Sequence, residues 1–190
     1  MCIKMGFLSR AELDNMGFKY LGENVLISDK CSIYNAKNIS INDNTRIDDF
    51  CILSASKEIT IGKYNHISCH TILIGADTII LEDFVTISSH CSIYSSSDDY
   101  SGNFLTNPTV DNKYTNVKNA PVIIKKHVII GCNSVVLPGV TICYGSAIGS
   151  LSFVNKNVEE LVVMAGTPLK YIKKRINNFL ELENKLLYDE

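Results

Sequence analysis

Apolar residues recur at fixed intervals along most of this chain of 190 residues. Between residues 20 and 95, three columns of apolar residues each repeat every 20 positions, and adjacent columns lie six positions apart. The columns are Leu21, Ile41, Ile61 and Leu81, then Ile27, Ile47, Ile67 and Ile87, then Ile33, Leu53, Leu73 and Ile93. After Pro121 the interval is six throughout, at Ile124, Ile130, Val136, Ile142, Ile148 and Val154. This repeat predicts an all-β solenoid, a triangular β-helix with three short strands in each turn.

The segments that flank the repeats carry helical patterns. Ser9 and Glu12 form a potential capping box, which predicts a short N-terminal helix over 9–16 that caps the open end of the solenoid. Pro168 suits a helix start, and the apolar residues after it predict an amphipathic C-terminal α-helix. Those residues are three or four positions apart: Ile172, Ile176, Phe179, Leu182 and Leu186. The chain therefore divides into an N-terminal cap (1–19), a β-helix (20–156) and a C-terminal turn and helix (157–190).

One long segment, 95–120, interrupts the repeats. It is rich in Ser, Asp, Asn and Thr, and it also holds the aromatic residues Tyr100, Phe104 and Tyr114. A loop of this length inside a regular solenoid is usually functional, and the aromatic residues favour an ordered, packed loop. We therefore expect an extruded loop that takes part in the function.

Charge and hydropathy exclude several classes of partner. The formal net charge of −2 provides no general attraction to nucleic acid or to anionic membranes. No apolar run of about 18 residues is present, so we expect no membrane insertion. The first ten residues, Met1 to Arg10, are too weakly apolar and basic for a signal peptide.

The cysteines follow the repeat rather than a disulfide or zinc pattern. Cys31, Cys51 and Cys91 share one repeat position, and Thr71 occupies the same position in the remaining coil. We interpret them as small core residues with free thiols, which fits a reducing, cytoplasmic location.

Three features together resemble the hexapeptide-repeat acyltransferases, over about residues 20–175. They are the isoleucine hexapeptides, the stretch from Ile130 to Ile142 with its Leu137-Pro138-Gly139 turn, and the Ala165-Gly166-Thr167-Pro168 ending followed by basic residues. The galactoside and maltose acetyltransferase branch is similar, including sugar acetyltransferases of surface-polysaccharide and O-antigen synthesis. The resemblance implies a left-handed parallel β-helix, acetyl-CoA as the acyl donor, and a homotrimer with active sites between subunits.

The predicted catalytic residues rest on this resemblance. Relatives that acetylate hydroxyl groups have a histidine in the long loop, and an ungapped match puts Asp98 in its place, with Asp99 adjacent. An amine acceptor needs less base catalysis than a hydroxyl, so either aspartate could hold an ammonium and orient it. The alternative base is His66, which the match places in the acceptor site.

The same match implies binding residues. Ser54 and Ser68 would line the acceptor site, and Tyr100 stands beside the aspartates in a loop similar to that of amino-sugar acyltransferases. The residues expected to bind acetyl-CoA are Cys132, Ser150, Asn155, Lys156, Lys170 and Lys173. The last two would meet the CoA phosphates as point charges.

We therefore predict an acetyl-CoA-dependent N-acetyltransferase acting on a nucleotide-linked amino-deoxy sugar, such as dTDP-4-amino-4,6-dideoxyglucose. The alternative is a sugar O-acetyltransferase of the galactoside or maltose type. Two distant alternatives also stay open. One is a metal protein like the β-helical carbonic anhydrases, in which His66, His70 and His90 would bind zinc, although we assign no metal site. The other is a solenoid without catalytic activity.

Overall fold

The computed structural model describes residues 6–188, so residues 1–5 of the predicted cap and 189–190 of the predicted C-terminal segment lie outside it. A helix, α1 (Arg10–Asn15), precedes the first strand. Ser9 is its N-cap and forms the predicted capping box with Glu12. Leu13 is buried against the first coil, so α1 covers the end of the solenoid as the sequence predicts.

The β-helix consists of short strands of two to five residues. In the first half they are β1 (Tyr20–Leu21), β2 (Leu26–Ile27), β3 (Ser32–Tyr34), β4 (Ile39–Ile41), β5 (Arg46–Ile47), β6 (Ile52–Ala55), β7 (Ile59–Ile61), β8 (His66–Ile67), β9 (Ile72–Gly75), β10 (Ile79–Leu81), β11 (Thr86–Ile87) and β12 (Ser92–Tyr94). The loop contains β13 (Ser96–Ser97) and β14 (Lys118–Asn119). The second half contains β15 (Val122–Ile124), β16 (Ile129–Ile130), β17 (Val135–Val136), β18 (Thr141–Ile142), β19 (Ala147–Ile148), β20 (Phe153–Val154), β21 (Val162–Ala165) and β22 (Lys170–Lys174).

These strands form three parallel sheets, which are the three faces of a triangular, left-handed β-helix. Every third strand joins the same sheet: β1-β4-β7-β10-β15-β18, β2-β5-β8-β11-β16-β19 and β3-β6-β9-β12-β17-β20. The first of the predicted columns is in register, since Ile41 pairs with Ile61 and Ile61 with Leu81. Nearly all residues of the predicted columns are buried, so the repeat identifies both the coils and their core.

The C-terminal segment differs from the prediction over residues 170–176. Instead of starting a helix after Pro168, Lys170–Lys174 form strand β22, which pairs antiparallel with β21. The second helix, α2, spans Phe179–Tyr188 and therefore begins about two turns later than predicted. The stripe of apolar residues matched a helix, but pairing with the free edge of β21 satisfies the backbone of residues 170–174 as a strand.

Helix α2 packs on a corner of the last coils. Phe179 lies against His127 with ring centroids 4.6 Å apart, and the Glu183 carboxylate lies 2.6 Å from His127 Nε2. Lys126 donates to the other oxygen of Glu183 at 2.5 Å. Arg175 Nη1 donates to three backbone carbonyls just before the helix, including that of His127 at 2.8 Å. His127 is therefore a structural residue in the docking site of α2.

The cysteine prediction is confirmed in its main part. Cys51, Thr71 and Cys91 are fully buried in one column, whereas Cys31 is partly exposed. The six cysteines of the described residues are free thiols, and Cys2 lies outside the described range. None of the described helices is long and apolar enough to cross a membrane.

Candidate active site

The loop of residues 95–120 forms an ordered arm on one face of the β-helix. Its two ends are joined by an antiparallel pair, in which β13 and β14 align Ser96 with Asn119 and Ser97 with Lys118. Further along the arm, Leu105 bridges Thr115, next to a short 3-10 turn at Asn112–Tyr114. These contacts fix the base of the arm beside the end of β12.

Between the base of the arm and the outer side of β12, β17 and β20 lies a groove of about 650 Å³, here called the strand-face groove. Val135 and Phe153 point outward from paired positions of β17 and β20 and form its floor. The complete lining is Tyr94, Ser96, Ser97, Asp98, Tyr100, Val135, Leu137 and Phe153. The groove therefore has an apolar floor and a polar wall supplied by the arm.

Two further cavities adjoin the strand-face groove. The edge groove, of about 540 Å³, shares Ser97, Asp98, Tyr100 and Leu137 with it and adds Asp99, Asn116, Lys118, Pro138 and Asn155. The arm cavity, of about 430 Å³, lies toward the N-terminal coils and is lined by Ile74, Tyr94, Ser96, Ser97, Asp98, Asn107, Pro108, Asn112, Thr115 and Val117. Among the cavities of the described chain, Ser97 and Asp98 line all three. Asp98 therefore stands where the three spaces meet.

The two adjacent aspartates have different surroundings. Asp99 Oδ1 accepts from the Ser101 amide at 2.8 Å and from the Ser101 hydroxyl at 2.5 Å, while its Oδ2 accepts from Asn116 Nδ2 at 3.3 Å. The hydrogen bonds from Ser101 lower the pKa of Asp99. In the described residues, the Asp98 carboxylate has no hydrogen bond or ion pair from another side chain. Asp99 thus holds the arm together, whereas Asp98 is available to a ligand.

His66 lies apart from these grooves, on the outer side of the neighbouring sheet. Its Nε2 is 2.7 Å from Asp48 Oδ2, and Arg46 Nε donates to Asp48 Oδ1 at 2.6 Å. Burial raises the pKa of Asp48, but the hydrogen bonds from His66 and Arg46 outweigh it and lower the pKa overall. Within one chain the structure therefore does not bring His66 together with Asp98.

The two predicted acceptor-site serines also lie outside the grooves. Ser54 is on β6, two strands away from β12 in the same sheet, and Ser68 bonds Ser89 through their hydroxyl oxygens at 2.9 Å. Tyr100, in contrast, lines both the strand-face and the edge groove and is 94% exposed. The arm therefore gathers Asp98 and Tyr100 but neither serine.

The residues expected to bind CoA are spread over the last coils. Asn155 lines the edge groove, and Lys156 next to it is exposed. Cys132 and Ser150 lie at corners of consecutive coils, where the Cys132 carbonyl accepts from the Leu151 amide at 2.8 Å. Lys170 and Lys173 are exposed on β22 rather than on a helix.

His70 and His90 form a stack rather than a ligand set. Their ring centroids are 4.6 Å apart with nearly parallel planes, and Phe50 stacks on the other face of His70 at 4.9 Å. In residues 6–188 no group of three or more His, Cys, Asp or Glu side chains is placed to hold a metal ion.

Sequence reasoning missed the residues that form most of the groove walls. Tyr94, Val135, Leu137 and Phe153 come from outward positions of the strands, next to the buried columns. Large apolar residues at outward positions are a usable signal, because they indicate a surface that something covers. The residues of the arm cavity gave no such signal, since their arrangement depends on how the arm folds.

The overall sequence is similar to that of a characterised enzyme. No protein-family model matches the chain. It is 49% identical over 181 residues to the dTDP-4-amino-4,6-dideoxy-D-glucose acyltransferase of Escherichia coli, covering 95% of this chain and 94% of the relative. The chain belongs to this family of acyltransferases.

Solved structures of the family have the same fold. AntD, an N-acyltransferase from Bacillus cereus, in complex with dTDP and 3-hydroxybutyryl-CoA, superposes with a TM-score of 0.93 at 48% identity, covering 96% of each chain. An AntD variant with a serine replaced, in complex with dTDP-4-amino-4,6-dideoxyglucose and coenzyme A, gives a TM-score of 0.94 at 46% identity, covering 97% of this chain and 99% of that one. AntD has also been crystallised with substitutions of an aspartate ten residues after that serine.

A more distant structure shares the fold alone. The hexapeptide-repeat acetyltransferase VCA0836 from Vibrio cholerae, with acetyl-CoA, has a TM-score of 0.61 at 23% identity, covering 88% of this chain and 77% of that one. Membership of the acyltransferase family confirms the predicted enzyme class, and the fold confirms the predicted left-handed β-helix. The carbonic-anhydrase and non-catalytic alternatives are not supported.

Proposed function

We propose that this enzyme transfers an acyl group from a CoA thioester to the 4-amino group of dTDP-4-amino-4,6-dideoxyglucose. The sequence predicts acetyl-CoA as the donor and an amine as the acceptor. The names of the Escherichia coli enzyme and of AntD support a nucleotide-linked amino sugar over a galactoside or maltose hydroxyl. The complexes of AntD with coenzyme A support a CoA donor.

The observation that carries the proposal is the position of Asp98. Its carboxylate lies at the junction of two donor-side grooves and the arm cavity, and the other described side chains leave it free. A carboxylate at that point can hold the amine of the acceptor and remove a proton as nitrogen attacks. Ser88 and Asp98 are ten residues apart, as are Ser89 and Asp99, and this matches the interval between the substituted residues of AntD.

The chemical step balances with the residues at hand. The free amine attacks the thioester carbonyl carbon, so a C–N bond forms and the C–S bond breaks. The nitrogen loses a proton to Asp98, and the departing CoA thiolate takes up a proton to leave as the thiol. Because a neutral amine is a good nucleophile, the loop histidine of the hydroxyl-specific relatives is not needed.

The two halves of the reaction occupy different cavities in this proposal. The acyl-CoA runs through the strand-face and edge grooves, where the apolar floor takes its hydrocarbon parts and Asn155 offers an amide to the pantetheine arm. Lys156, Lys170 and Lys173 meet the phosphates at the exposed end. The sugar enters through the arm cavity, with Tyr100 covering it.

We further propose that the enzyme works as a homotrimer in the cytoplasm, with each active site between two subunits. Tyr100 and the apolar floor are open to solvent in one chain, so a neighbouring subunit would complete the walls. His66, Ser54 and Ser68 would then contribute from the neighbour rather than from the chain that supplies Asp98. The free cysteines suit a reducing compartment.

The test is a thiol-release assay with acetyl-CoA against a panel of acceptors. We expect turnover with dTDP-4-amino-4,6-dideoxyglucose, measured as free CoA and as the N-acyl product by mass spectrometry. The panel also contains a nucleotide-linked 3-amino sugar, a galactoside and maltose. Turnover with the galactoside or maltose alone would contradict the amine acceptor and direct the search for a base to His66.

A further inference from the structure

The strand-face groove continues past the reacting centre along an apolar floor. From Asp98 it runs over Leu137, Val135 and Phe153, with Tyr94 at its side. Val135 and Phe153 stand at paired positions of neighbouring parallel strands, so their side chains form one continuous strip. Both are partly buried, and neither belongs to the core columns.

The size of this floor does not match an acetyl group. The groove encloses about 650 Å³, and the methyl group of an acetyl thioester held at Asp98 would contact little of the strip. Each additional methylene of a longer acyl chain would cover more of this apolar surface and so gain binding free energy. Discrimination of a methylene by an apolar pocket typically amounts to a factor of ten or more.

We propose that the floor formed by Val135 and Phe153 is an acyl-chain subsite, and that the enzyme prefers a four-carbon acyl-CoA to acetyl-CoA. This inference rests on the proposed function, because it takes Asp98 as the reacting centre. It concerns the donor, and it leaves the acceptor and the chemical step unchanged. AntD in complex with 3-hydroxybutyryl-CoA is an instance of a relative that holds a four-carbon acyl group.

The polar wall opposite the floor suits such a chain as well. Ser96 and Ser97 face the groove from β13, and the Ser97 hydroxyl donates to the Asp98 carbonyl at 3.2 Å. A hydroxyl group on the third carbon of the acyl chain would meet these serines while the chain lies on Val135. The floor selects for length, and the wall tolerates a polar substituent.

The experiment compares kcat/KM for acetyl-CoA, butyryl-CoA and hexanoyl-CoA with the amino-sugar acceptor held at saturation. For the wild-type enzyme we expect butyryl-CoA to exceed acetyl-CoA by about tenfold or more. Val135→Phe fills the floor, and we expect it to lower kcat/KM for butyryl-CoA by about tenfold while acetyl-CoA changes less than about twofold. Phe153→Ala lengthens the floor and should raise the value for hexanoyl-CoA relative to butyryl-CoA.

Ile129→Phe is the matched control. Ile129 is also an outward aliphatic residue on a two-residue strand, but it lies in the neighbouring sheet and lines none of the three cavities. We expect it to keep the wild-type ratio of butyryl to acetyl transfer. Far-UV circular dichroism and thermal unfolding establish that each variant is folded before the ratios are compared.

The outcomes separate the inference from the proposed function. An enzyme that turns over the amino sugar but favours acetyl-CoA overturns the acyl subsite alone. A Val135→Phe variant that loses all three donors equally overturns it too, since the floor then contacts the pantetheine arm that they share. Absence of turnover with every donor overturns the proposed function itself.

Discussion

The coil stack and the arm of residues 95–120 hold their side chains by different means. In the coils, each aliphatic residue is buried between identical positions above and below, as Ile67 is between Ile47 and Ile87. In the arm, side chains are fixed by local hydrogen bonds, such as those of Asp99 with Ser101 and Asn116, and most of the arm is exposed. The coils therefore provide the stability, and the arm provides a free carboxylate beside a rigid surface.

The sharpest test of this division is Asp98→Asn. The variant removes the acceptor of the amine proton without removing any hydrogen bond of the fold, so we expect kcat to fall about 10²- to 10⁴-fold with unchanged unfolding. Steady-state kinetics and thermal unfolding measure the two effects. Asp99→Asn is the paired variant, for which we expect a looser arm, seen as faster amide exchange at Ser101, and a smaller loss of kcat. Equal losses of kcat would contradict our assignment of different roles.

On the side of the coils, Ile67→Ala should cost the most stability. Ile67 is fully buried, and truncation of a buried isoleucine to alanine typically lowers the free energy of unfolding by about 2–5 kcal/mol. Denaturant unfolding measures this change. Thr60→Ala, at an outward position of β7, is the control and should change stability by less than about 0.5 kcal/mol. A small loss for Ile67→Ala would mean that the coils tolerate cavities better than close packing allows.

The C-terminal helix provides an intermediate case, because one buried carboxylate docks it. Burial raises the pKa of Glu183, but hydrogen bonds from Lys126 and His127 outweigh this and lower the pKa. A lowered folded-state pKa contributes stability that is complete above the unfolded value of about 4.3 and is lost as the pH falls below it through the folded pKa. We therefore expect α2 to release from the coils in acid before the β-helix unfolds.

Hydrogen exchange of the α2 amides between pH 6 and pH 3 measures this release. Glu183→Gln keeps the shape of the side chain and removes its charge, so α2 should be weakly protected at every pH, at a cost of about 1–3 kcal/mol. Protection of α2 that is independent of pH in the wild-type chain would contradict the role of Glu183.

The smallest expected effect belongs to the exposed lysines of β22. Lys173→Ala removes one point charge from the proposed phosphate site, and we expect KM for acyl-CoA to rise about threefold, with kcat unchanged. The effect should shrink as salt is added, because exposed charges are screened. Lys185→Ala in α2 is the control. No change in KM for Lys173→Ala would place the phosphates elsewhere.

The same difference between coils and arm explains what the sequence could predict. The six-residue step identifies the coils, because each column residue meets its equals above and below. Residues 170–174 were predicted as helix, since Ile172 and Ile176 fit a helical stripe and the free edge of β21 is not visible in the sequence. Asp98 and Asp99 are adjacent, and only the folded arm, which brings Asn116 to Asp99, distinguishes their roles.

The antiparallel clamp at the base of the arm has a consequence for protein engineering. The Ala120 amide donates to the Ser95 carbonyl at 3.1 Å, so the arm leaves and re-enters the solenoid at neighbouring points. β15 then pairs with β10 in the same register that β10 keeps with β7, as if no insertion were present. The arm is thus a cassette, and arms of other lengths can be grafted between Ser95 and Ala120 without shifting the phase of the repeats on either side.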